Sequence, residues 1–274
     1  MSPDGYYWLL IAAKITTAGL VVVMSTFAAQ RGGPLVGGIV TSLPIAVGLA
    51  YLFLALEHDD QFIMESARAS LAANAVTGLY ALVYLKLAQR RSLVVCMAGG
   101  IAIWLLGAWA VQARQWSTLE VAALNVLVYP LCIWLSQKER HVAMPRVPAC
   151  WQDFLVRAVS MMVFVASLLV LSNHVGPRVT GIIAVFPVII TGVMIILYRR
   201  VGGPAAAAVI AHAVTGFVGF SFSLLFLILL TMPLNRLLAL GIGLAFSAGW
   251  NLVLFVVGRS RQKADPIRLQ ATRG

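Results

Sequence analysis

Arg31-Gly-Gly-Pro-Leu-Val-Gly-Gly-Ile-Val-Thr-Ser-Leu-Pro44 and His174-Val-Gly-Pro-Arg-Val-Thr-Gly-Ile-Ile-Ala-Val-Phe-Pro187 are one passage written twice, 143 residues apart. From position 33 to 44, six of twelve residues are identical: Gly33/Gly176, Pro34/Pro177, Val36/Val179, Gly38/Gly181, Ile39/Ile182 and Pro44/Pro187. The same shift, without a gap, pairs Lys14 with Arg157 and Gln30 with Asn173. Ala75-Val-Thr-Gly78 returns as Ala213-Val-Thr-Gly216 at an offset of 138. A shared apolar composition does not bring glycines and prolines into step, so the chain reads as a duplication.

The composition says where such a chain lives. Of 274 residues, 61% are hydrophobic and 11% are Asp, Glu, Lys or Arg. A water-soluble domain carries about 25% charged residues, and nine acidic side chains cannot hydrate a globule of this length. The sequence is that of an integral membrane protein, its main partner the lipid bilayer. The net charge of +11 does not indicate nucleic acid, because the basic residues sit in short segments between apolar runs. Three cysteines and four histidines lack the spacing of a disulfide framework or a metal site, and no cofactor is implied. No signal-peptide pattern opens the chain.

About 20 apolar residues cross a hydrocarbon core, which predicts an all-α bundle of nine spans: 8–28, 35–56, 66–87, 92–113, 116–136, 153–172, 178–198, 204–231 and 237–257. The run 204–231 could be divided in two, but Gly216 to Leu225 offers no loop. With the N-terminus outside, 14 of the 20 basic residues, including the basic tail 258–274, fall on the cytoplasmic side, as the positive-inside tendency requires. The chain is then a single transmembrane domain. A first repeat (8–113) and a second (153–257) are joined by a linker helix at 116–136. Four spans plus one linker turn the second repeat upside down, a plan shared by many secondary transporters.

One repeat also resembles a known family. Lys14 in the first span, Leu43-Pro44-Ile-Ala-Val-Gly in the second, and Glu57-His-Asp-Asp-Gln-Phe-Ile-Met-Glu-Ser-Ala-Arg68-Ala-Ser entering the third are similar to the small GlpM-type inner-membrane proteins. Those are chains of about four spans without an assigned activity. The resemblance covers 8–113 and, more loosely, 153–257, where Tyr198-Arg199-Arg200-Val-Gly-Gly-Pro204 replaces the acidic loop. It implies a tandem, fused relative in a bacterial inner membrane, with the N-terminus outside and the C-terminus in the cytoplasm.

Pro44 and Pro187 lead the candidate site residues. Each lies about 15 Å into its span and frees the carbonyl four residues earlier, at Val40 and Ile183. Such a carbonyl turns to protein, water or a ligand; the alternative is a kink that serves packing only. The Gly33-Pro34 and Gly176-Pro177 entries fit either a tight turn or an anion-holding helix start. Lys14 and Arg157 are matched cations that either snorkel to headgroups or draw an anion into a pathway. Asn74 and His212 correspond one turn before the repeated Val-Thr-Gly; they fit interhelical hydrogen bonding or, for His212, proton coupling. Glu120 is a coupling candidate near the start of the linker, or a partner for Arg114. Asn125, Tyr129, Pro130 and Asn251 complete the polar lining.

Together these features favour a secondary transporter or permease for a small anionic solute, working by alternating access between inverted repeats. A non-catalytic scaffold of an envelope or polysaccharide assembly system is the alternative, and a lipid flippase is a variant of the first reading. No nucleophile–base pair or metal-ligand spacing marks an enzyme.

Overall fold

The computed structural model describes residues 9–10, 12–21, 23–24, 44–141 and 151–264. Among them every element is helical: α1 (Ala12–Val21), α2 (Ile45–Glu57), α3 (Asp60–Leu87), α4 (Leu93–Gln112), α5 (Thr118–Leu135), a 3₁₀ turn (Lys138–His141), α6 (Trp151–Ala184), α7 (Val188–Val201), α8 (Gly203–Leu230) and α9 (Arg236–Ala264). Six stretches are long and apolar enough to cross a membrane: α3, α4, α5, Ala158–Ala184 of α6, α8, and Arg236–Gly258 of α9. The chain is a multi-pass helical membrane protein. The expected span 204–231 is one uninterrupted helix. The expected span 178–198 falls on two helical pieces, while 8–28 and 35–56 lie partly outside the described residues.

Polarity decides which helix sits at the centre. The apolar stretch of α3 is 72% buried, against 22 to 44% for the other five, yet α3 is the least apolar of the six. Lipid rewards apolar side chains, so a helix wrapped by protein is free to carry small and polar ones. Ala67, Ala72, Ala73, Ala75 and Ala81 let its neighbours approach, and Ser66, Ser70, Asn74 and Thr77 are buried among them. In contrast α4 and α5 present Val94, Trp109, Leu119, Val126 and Leu127 outward, as lipid-facing surfaces do. The start of α3 precedes the expected 66 because Asp59 caps it, accepting from Phe62 N at 2.8 Å.

Contacts along the helices set their directions. Asn74 meets Ser221 and Ala88 lies against Gly203, so α3 and α8 run antiparallel. Arg68 meets Thr118, Asn125 meets Leu71, and Lys86 meets Leu135, so α5 runs parallel to α3. The turn within α6 is a single residue: Gly176 has φ 73° and ψ 173°, a region essentially restricted to glycine. Before it, Ser172 stands beside His58; after it, the chain descends along α3 from Ser66 at Pro177 to Tyr84 at Met194. Residues 177–201 therefore run parallel to α3.

Candidate functional site

Pro44 and Pro187, matched in the sequence, each stand directly before a helix with nearly the same backbone angles. Pro44 precedes α2 with φ −76°, ψ 55°, and Pro187 precedes α7 with φ −78°, ψ 53°. Neither has a side-chain cap. In the second repeat the short segment after Gly176 ends at Ala184, and Val185, Phe186 and Pro187 bridge to α7. Val40 lies outside the described residues, so the chain before Pro44 is not described.

The break at Pro187 is gripped from α3. Ser66 Oγ donates to Pro177 O at 2.9 Å, Ser70 Oγ to Gly181 O at 2.6 Å, Thr77 Oγ1 to Val185 O at 3.3 Å, and Tyr84 OH to Met194 O at 3.2 Å. Tyr80 OH lies 2.7 Å from Thr191 Oγ1, whose own proton goes to Pro187 O. Tyr51 OH, 2.6 Å from Ser70 Oγ, adds a group from α2. One face of α3 is thus a rail of hydroxyls laid along a helix whose own ladder is cut. The approach is close: a Cβ on Gly181 would stand 2.0 Å from Ser66 O. The carbonyl expected to be freed by Pro187, that of Ile183, instead accepts from Phe186 N at 2.9 Å in a tight turn. Val185 O is met from α3 by Thr77 Oγ1, whose single proton is shared with Ala73 O at 3.2 Å.

A second polar knot lies halfway along α3. Asn74 Nδ2 donates to Ser221 Oγ at 2.9 Å and stands 3.4 Å from Asn125 Oδ1, which Ser221 Oγ approaches to 3.1 Å. Asn125 Nδ2 donates to Leu71 O and Val121 O, and Tyr129 OH to Asn74 O. All four residues are buried. The linker helix α5 is thereby tied to the third helix of each repeat. Beside the break, the buried indole N–H of Trp104 has no acceptor among the described residues, and its ring meets Phe186 edge-on at 4.7 Å.

The other expected residues lie apart from this seam. Lys14 pairs with Glu57, about 20 Å along α2 from Pro44. Arg157 lies on α6, its side chain outside the described residues. His212 is exposed on α8 and is not brought to Asn74. Glu120 is half-buried; it completes a capping box with Ser117 and pairs with Arg114, so both oxygens have structural partners at the start of α5. Near the Lys14–Glu57 pair, His58 stacks on Phe62 at 3.8 Å and meets Ser172 Oγ at 2.9 Å. Ser172 already donates to Leu169 O, so His58 Nε2 carries the proton of this bond. Burial holds the imidazole pKa below its ordinary value, opposed by Glu57 and Asp59 and assisted by Lys14.

Of the residues expected from the sequence, Pro187 stands in the seam and Asn74, Asn125 and Tyr129 meet in the knot, while Pro44 starts α2. Sequence reasoning missed Ser66, Ser70, Tyr80, Tyr84, Thr191 and Ser221. The available signal was the spacing of hydroxyls at 66, 70, 77, 80 and 84, which puts them on one helix face. No family model, curated protein or solved structure matches this chain.

Proposed function

We propose that the protein is a secondary transporter or permease for a small anionic solute, cycling by alternating access between two inverted repeats. In this reading the chain makes nine spans in a bacterial inner membrane, N-terminus outside and C-terminus in the cytoplasm, as a tandem relative of the GlpM-type proteins rather than an enzyme. The observation that carries the proposal is the pair of matched prolines, Pro44 and Pro187, each standing at a helix start with backbone angles that agree within a few degrees. Discontinuous helices at equivalent places in two halves are where transporters of this plan bind solute. The antiparallel course of α3 and α8, the helices that carry the repeated Ala-Val-Thr-Gly, supports the inversion. The two repeats also differ in their contacts: Thr77 holds the break of the other repeat, whereas Thr215 takes the guanidinium of Arg140. Unequal conformations of equivalent halves are what one end-state of a rocking cycle requires.

Protein purified and reconstituted into tight liposomes is expected to move an inorganic or organic anion. Pro187→Ala and Lys14→Ala should lower the flux. Wild-type liposomes that remain inert across a broad anion panel overturn the reading, and a stable co-purifying assembly without flux would favour the scaffold alternative.

A further inference from the structure

The 3₁₀ turn after the linker helix splits two adjacent charges. Glu139, 8% exposed, turns to Lys86, its Oε1 2.7 Å from Nζ. Arg140 turns the other way, into the face of α8, and donates from Nη2 to Thr215 Oγ1 at 2.6 Å. Its Nε is buried and without an acceptor, and no carboxylate among the described residues stands within ion-pair distance of it. A hydroxyl is a weak partner for a guanidinium, which presents a planar fork matched to two oxygens of one anion. Arg140 is half-buried; taking part of a cation out of water without a counter-charge is unfavourable, and burial pulls its pKa below the ordinary value.

The position is as telling as the missing partner. Thr215 lies about 18 Å along α8 from Gly203, at 1.5 Å per residue, well inside the bundle. It is the repeat counterpart of Thr77, which holds the Val185 carbonyl at the Pro187 break. Further polar groups surround Thr215: Trp250 Nε1 donates to its carbonyl at 3.1 Å, and Asn251 Oδ1 lies 2.8 Å from where a Cβ of Gly216 would stand. One turn before Asn251 on α9, Ser247 is fully buried and its hydroxyl has no partner among the described residues.

We propose that Arg140, with the hydroxyl of Thr215, forms an oxyanion-binding site inside the bundle, taking the carboxylate, phosphate or sulfate group of a small solute. That this oxyanion is the transported solute rests on the transporter reading; the binding itself does not. Lys86 and Glu139 mark the end of the bundle from which the anion reaches Arg140. Glu139 Oε1 is held by Lys86 and its buried Oε2 has no partner among the described residues, so neither oxygen is paired with the guanidinium.

The test uses the full-length protein in a neutral detergent, with inorganic phosphate, sulfate and succinate each compared with chloride at matched ionic strength. At about a hundred-fold excess over Kd, a bound oxyanion is expected to raise the unfolding midpoint by about 5–10 °C. Arg140→Gln should abolish the rise and Arg140→Lys should keep only part of it. In the wild type, the effective anion should also protect Arg140 from phenylglyoxal, read by peptide mass spectrometry; this arm decides the matter if Arg140→Gln does not fold. Phosphatidylglycerol against phosphatidylcholine forms the last arm. A shift and protection by phosphatidylglycerol alone would place a lipid headgroup in the same site. No anion-specific shift and no protection, or an equal shift in Arg140→Gln, overturns the proposal. Binding without flux would overturn only the transport reading, and flux without binding only the Arg140 site.

Discussion

The helices α3 and α8 carry the same four-residue signature yet do different work. At the offset of 138, Ser66, Ser70, Tyr80 and Tyr84 of α3 correspond to Pro204, Ala208, Val218 and Phe222 of α8. The first set is a hydroxyl rail: Ser66, Ser70 and Tyr84 donate to carbonyls of residues 177–194, and Tyr80 meets the Thr191 hydroxyl. The second set has none of that capacity, and only the threonine is kept in both. The sequence thus repeats the proline passage, while among the described residues the hydroxyl clamp is found on α3 and not at the matching positions of α8. The Pro187 break is tied to α3 at several points, whereas the positions of α8 that match Ser66, Ser70, Tyr80 and Tyr84 carry no hydroxyl.

The largest effect should come from forcing that clamp apart. Gly181→Val would drive a side chain into the backbone of Ser66, which cannot yield as a flexible chain end could; a loss of about 3 kcal/mol is expected, measured by reversible unfolding in detergent. Gly192→Ala on α7, with nothing within 4 Å of the new methyl, should leave stability unchanged or slightly raised, and a similar loss there would break the comparison. Gly176→Ala should cost about 1–3 kcal/mol, because a side chain is strained at φ 73°, ψ 173°. Next comes the knot: a double-mutant cycle on Asn74 and Asn125 should give a coupling of about 0.6–1.7 kcal/mol, the range measured between membrane helices. Zero coupling would mean that α5 is held by packing alone. Thr77→Val should cost about 0.6 kcal/mol through the Val185 carbonyl that loses its donor from α3, measured by the same unfolding.

The smallest expected effect is a pH dependence at His58. Its folded pKa lies below its ordinary value through burial, so the unfolded chain binds the proton more readily. Stability should be full above the unfolded histidine pKa of about 6.5 and decline as pH falls below it toward the folded value. His58→Gln should flatten that part of the curve; an unchanged slope in unfolding midpoints between mildly alkaline and mildly acidic buffer would assign the effect elsewhere.

Much of the helix order was legible because hydropathy and helix length answer to the same bilayer. The runs 92–113, 116–136, 204–231 and 237–257 correspond closely to α4, α5, α8 and α9. Hydropathy failed at ends that charge obscures: α3 begins at Asp60, because a capped helix outlasts its apolar run. It also passed over the helical stretch between Ser172 and Gly176, where polar Asn173 and His174 interrupt the run without breaking the helix. For the site, proline announced the Pro187 break through a local rule, the missing N–H. Which carbonyl α3 would meet could not be read locally, since Ile183 O is satisfied in a tight turn and Val185 O is met by Thr77.

By itself the sequence determined that this chain belongs in lipid, that it is built of helices, and that one proline-bearing passage occurs twice. Each of these follows from residue chemistry acting over a few turns. Only the tertiary structure decided that α3 sits at the centre, that its hydroxyls run along the Pro187 break, and that Glu139 pairs with Lys86 while Arg140 reaches Thr215. Those outcomes depend on which faces of distant helices come within about 3 Å of one another, a matter of packing that no local periodicity encodes.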